Sequence, residues 1–112
     1  METAIILTPE QIQQELTSLP VWTFKDDKIS KQFEFADFMG SLHFINKLAP
    51  YCEEIDHHPD VHIFYSKVLF ELQRFDVGGK VTNKDILVAK KIEMLYSEAQ
   101  ITNNKPQITS KS

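Results

Sequence analysis

At 112 residues the chain has room for one hydrophobic core and none for a second domain. With 42% hydrophobic and 25% charged residues it has the balance of a folded globular protein and is too apolar to stay disordered. A net charge of −4 argues against direct nucleic-acid binding, which relies on clustered Lys and Arg.

The first residues carry the acidic Glu2 where a signal peptide is basic, and the apolar run Ala4 to Leu7 is too short for its core. No later stretch approaches the ~18 apolar residues of a membrane span. Thr8-Pro9-Glu10-Gln11 is a capping-box pattern with proline at the first helical position, so a short helix is expected to about Ser18. Ile12, Leu16 and Leu19 form its apolar stripe, and Pro20 stops it. Val21 to Phe24 and Ile29 to Phe35 are rich in β-branched and aromatic residues and flank the polar run Lys25 to Lys28, which predicts a hairpin. In its second strand Ile29, Lys31, Phe33 and Phe35 share the face expected to be buried.

From Asp37 to about Glu54, Phe38, Leu42, Ile45, Ala49 and Cys52 recur at helical spacing, with a kink or an early end possible at Pro50. Cys52 is the lone cysteine, so no internal disulfide is available and a reducing, cytoplasmic setting is expected. Val61 to Tyr65 and Val68 to Phe75 alternate like strands, either joined by Ser66-Lys67 or continuous. Asp76 to Lys80 is a loop, and Thr82-Asn83-Lys84-Asp85 repeats the capping arrangement before a helix to about Gln100. Ala89, Ile92, Tyr96 and Ala99 are its apolar stripe, and residues 101–112 read as a flexible polar tail behind a single domain over residues 1–100.

The order α-β-β-α-β-β-α predicts an α+β fold, a four-stranded antiparallel sheet with helices packed on one face. Such a sheet has an open edge that a second copy would cover, so a homodimer or homotetramer is expected.

Glu53 to His62 concentrates three of the four histidines and four carboxylates in ten residues. Pro59 restricts His58 to extended backbone, so adjacent imidazoles sit on a stiffened segment at a helix exit. Imidazole exchanges protons near neutral pH, which suits acid–base chemistry beside carboxylates. Two other readings compete. The pair could be a polar connection, or His57, His58, His62, Asp56 and Asp60 could hold a metal, although their spacing matches neither a zinc finger nor a His-Glu-x-x-His helix. His43, on the long helix, reads as a packed or surface residue.

Glu53, His57-His58-Pro59, the aromatic Tyr65 and Thr82-x-x-Asp85 together resemble the pterin-4a-carbinolamine dehydratases, also known as dimerisation cofactors of a homeodomain transcription factor. The resemblance runs from Leu7 to about Ala99. It implies a hydro-lyase that dehydrates 4a-hydroxytetrahydropterin to quinonoid dihydropterin in tetrahydrobiopterin recycling, with no cofactor and no metal. It assigns proton transfer or leaving-group contact to His57 and His58, and places Glu53, Pro59, Asp60, Arg74, Phe75, Asp76 and Asp85 around the substrate, with Glu53 and Asp85 orienting the histidines. Family members commonly carry a third catalytic histidine where this chain has Phe75, and the loop near Lys80 is one residue longer than usual. The alternative is therefore a member of low or no activity that serves as a protein-binding, dimerising or chaperone-like module.

Overall fold

The computed structural model describes residues 4–73 and 80–103. Along them run α1 (Pro9–Leu16), β1 (Thr23–Lys25), β2 (Lys28–Glu34), α2 (Phe38–Ile55), β3 (Asp60–Phe64), β4 (Lys67–Leu72) and α3 (Asn83–Asn103), in the expected order. The four strands form one antiparallel sheet in the order β1-β2-β4-β3. The chain crosses by α2 from the centre of the sheet to its far edge, then folds β4 back between β3 and β2.

Local chemistry accounts for most boundaries. At α1, the Thr8 hydroxyl accepts from the Gln11 amide at 3.1 Å and the Gln11 side chain accepts from the Thr8 amide at 2.8 Å, a reciprocal capping box. Asp26 and Asp27 both adopt positive φ, 56° and 60°, giving the two-residue turn whose twist matches a hairpin and pairing Lys25 with Lys28. Asp37 caps α2 by accepting from the Gly40 amide at 2.8 Å, and the helix runs through Pro50 to Ile55. Tyr65, with φ 59°, turns β3 back into β4, so the second strand does not continue the first.

The inward face of the sheet presents Ile29, Phe33, Val68, Phe70 and Leu72, all buried. Against it pack Phe44, Leu48 and Cys52 of α2, Val88, Ala89 and Ile92 of α3, and Ile12 of α1. Aromatic rings fill the centre, with Phe33 and Tyr96 at 4.8 Å in an edge-to-face arrangement. Lys31 also lies on this face. Its ammonium donates to the Glu93 carboxylate at 2.6 Å, which accepts from the Trp22 indole as well at 2.7 Å, so the half-buried charge is compensated.

One expectation needs correction. The buried stripe of α2 is Ser41, Phe44, Leu48 and Cys52, whereas Phe38 and Ala49 are exposed and Leu42 and Ile45 only half-buried. The helix is apolar around much of its circumference, and its rotation is set by the sheet and by the Ser41 hydroxyl, which donates to the Tyr65 carbonyl at 3.1 Å.

Candidate active site

Two helix ends meet beside β3. At the end of α2 the chain turns through Asp56, whose φ of 55° and ψ of 49° are left-handed. The Asp56 amide donates to the Glu53 carbonyl at 3.3 Å and the His57 amide to the Cys52 carbonyl at 3.0 Å, the two bonds of a Schellman closure. That closure reverses the chain and delivers His57 toward the protein interior.

There His57 meets the first turn of α3. Its Nε2 is hydrogen-bonded to Asp85 Oδ1, and the two residues are 5% and 0% exposed. The other oxygen of Asp85 accepts from the Thr82 amide at 2.8 Å and lies 3.4 Å from its hydroxyl, so one carboxylate caps α3 and holds the imidazole. The N-terminal segment braces this turn, because the Leu7 amide donates to the Val81 carbonyl and the Asn83 amide to the Ile5 carbonyl, each at 3.0 Å. A carboxylate only accepts, so Nε2 carries the proton in this contact and Nδ1 is the nitrogen left to take one up.

His58 faces the other way. Its Nε2 pairs with Glu53 Oε2 at 2.6 Å, one turn back on α2, with side-chain exposures of 53% and 76%. His62, on β3, pairs instead with Glu71 of β4 at 3.1 Å, and Glu71 also binds Lys28 of β2 at 3.2 Å. The histidine-rich segment therefore distributes its rings among three separate carboxylates. Among the described residues no three His, Cys, Asp or Glu side chains converge as a metal site.

Of the residues singled out in the sequence, the fold brings Glu53, His57, His58 and Asp85 into two neighbouring pairs, with Pro59 half-buried after them and Asp60 opening β3. Asp60 is in register with Glu71, on the opposite side of the sheet from the core. Arg74, Phe75 and Asp76 lie outside the described residues. His43 is exposed on α2. Burial first, and the Glu53 charge second, push the Cys52 thiol up to about 11, so it packs beneath the site as a thiol and not as a nucleophile. Sequence reasoning missed Lys84, whose buried ammonium donates to the Ile55 carbonyl at 3.0 Å. The only signal was its place immediately before the capping aspartate.

Comparison with known proteins bears on this arrangement. A family model described as pterin 4 alpha carbinolamine dehydratase matches residues 6–95. A protein of Sulfurisphaera tokodaii, provisionally named a pterin-4-alpha-carbinolamine dehydratase, is 42% identical over 81% of this chain and 97% of its own length. A similarly named protein of Thermosynechococcus vestitus is also 42% identical, over 80% of this chain and 93% of its own. The crystal structure of a transcriptional coactivator/pterin dehydratase from Brucella melitensis superimposes with a TM-score of 0.75 at 32% identity, covering 80% of this chain and 97% of that one.

Proposed function

The chain belongs to the pterin 4 alpha carbinolamine dehydratase family, and from that premise we propose that it dehydrates 4a-hydroxytetrahydropterin to quinonoid dihydropterin, with the two histidine–carboxylate pairs moving the protons. The reaction removes the proton on pterin N5 and supplies one to the departing 4a-hydroxyl, so it needs a base and an acid close together. The observation that carries this reading is the pairing itself. His57 is held in one orientation by the buried Asp85, while His58 is open to a ligand and steered by Glu53. Pro59 and Asp60 follow directly and, with Arg74, Phe75 and Asp76, are proposed to line the pterin. An aromatic ring at Phe75 offers stacking and no proton.

Stopped-flow measurement of 4a-hydroxytetrahydropterin dehydration tests the reading. Acceleration above the spontaneous rate, lost in His57→Ala and His58→Ala and raised in Phe75→His, is expected. A wild-type protein that adds nothing to the spontaneous rate would overturn it.

A second reading, as a protein-binding module, is favoured by the exposed apolar group Ile63, Phe64 and Tyr65 at the β3–β4 turn. The same strand supports homo-oligomerisation. β3 is at the edge of the sheet, and a second copy pairing along it would satisfy its free backbone groups. Light scattering on Ile63→Lys should then report a smaller particle than the parent. A particle of unchanged mass would place the contact elsewhere. The lone, buried thiol of Cys52 suits a cytoplasmic setting.

A further inference from the structure

Lysine is seldom buried without a charged partner, yet Lys84 is only 5% exposed, and among the described residues its ammonium is bonded to a backbone carbonyl, that of Ile55. The location explains the arrangement. A helix leaves its last four carbonyls without intrahelical partners, and these oxygens form the negative end of its dipole. In α2 the Schellman bonds satisfy the carbonyls of Cys52 and Glu53, and Lys84 satisfies that of Ile55, supplying positive charge where the dipole favours it.

Lys84 and Asp85 are consecutive on α3, and their partners Ile55 and His57 are two residues apart at the exit of α2. The same two segments are thus tied at two points. The core residues Val88, Ala89 and Ile92 and the N-terminal segment already anchor α3, and the Lys84 bond adds the restraint that fixes the exit of α2 against the first turn of α3. We propose that Lys84 is a positioning residue for this site: by clamping the last carbonyl of α2 to the first turn of α3, it sets the geometry at which His57 meets Asp85. Among the described residues it hydrogen-bonds to neither histidine, and it acts through the backbone that carries His57.

The test compares Lys84→Met, which keeps the length and apolar stem but cannot donate, Lys84→Gln, which is too short to reach Ile55, and Lys84→Arg, which retains a donor. The first readout is the NMR signal of the His57 Nε2 proton and its pH titration, which does not depend on any reaction. The second is kcat and KM for pterin dehydration, which depends on the dehydratase reading. Lys84→Met and Lys84→Gln should shift or broaden the His57 signal and displace its titration, and lower kcat by about tenfold with little change in KM, a fraction of the ~10²-fold loss that a full 1 Å misplacement can cause. Lys84→Arg should restore most of both. If the folded variants keep the parental His57 signal and titration, whatever their melting temperatures, Lys84 is a structural cap alone and the proposal fails. A shifted His57 signal in a protein without dehydratase activity would sustain the positioning role while removing the proposed reaction.

Discussion

Asp85 binds His57 with one carboxylate oxygen and caps its own helix with the other. The same side chain therefore serves the fold and the candidate site, and its two contacts can be separated by substitution.

Asp85→Asn keeps an oxygen for the Thr82 amide but presents an amide N–H to His57, or the reverse. In the first orientation the ring must accept at Nε2 and carry its proton on Nδ1, and in the second the bond to the Thr82 amide is lost. We expect the dehydration rate to fall by about 10²-fold or more, within the range attributed to a positioned acid–base group, with a loss of roughly 1–3 kcal/mol in stability from the weakened cap and buried bond. Stopped-flow rates and urea midpoints measure the two effects on one sample. A full rate with a reduced midpoint would make Asp85 a cap only.

The two histidines should divide differently between stability and rate. His57→Ala leaves a buried carboxylate oxygen without its donor and should cost about 1–3 kcal/mol. His58→Ala breaks an exposed pair of the kind worth ~0–1 kcal/mol, so its urea midpoint should stay near the parent while the rate collapses. Equal destabilisation by both would contradict the burial that distinguishes them.

Stability should also depend on pH through Glu71. Burial raises its carboxyl pKa, but hydrogen bonds and charge from Lys28 and His62 outweigh that and hold it below the usual carboxylate range. A pKa depressed by folding contributes stability that is present above the unfolded pKa, near 4.5, and is lost as pH falls through the lower folded value. Glu71→Gln should therefore be less stable than the parent at neutral pH, and the difference should shrink as acid is added below that range. Urea midpoints across an acid titration check the sign, and a gap that widens in acid would refute it.

Asp56 holds a left-handed conformation that glycine adopts at no steric cost. Asp56→Gly should leave stability within about 1 kcal/mol of the parent, the relieved backbone strain offsetting the added freedom of the unfolded chain. Asp56→Val should lose roughly 1–2 kcal/mol, because a β-branched side chain fits that region badly. Thermal melts of the pair would show whether the turn that delivers His57 is strained.

Much of this was legible in the sequence because it is written in local chemistry. The Thr8 and Thr82 caps, the Lys25 to Lys28 turn and the His57-His58-Pro59 exit each depend on residues a few positions apart, and the fold places them as expected. What failed depends on distant partners. In α2, two overlapping stripes of three-and-four spacing exist. The one starting at Phe38 holds more apolar residues, but the sheet selects the one containing Phe44 and Leu48 and buries Ser41 through a bond to Tyr65. Lys84 reads as a solvated charge in a first helical turn until the end of α2 is seen beside it. The pairing of His62 with Glu71 likewise exists only once β3 and β4 are in register.

Because Asp85 is needed to start α3, a lineage that abandoned the chemistry would still be under pressure to keep it. Its presence in a relative is then poor evidence of a working enzyme. The side chain of Glu53 carries no such burden, being exposed and engaged with His58 alone among the described residues. The fate of that glutamate, more than of the buried aspartate, should separate relatives that turn over pterin from those that have kept only the shape.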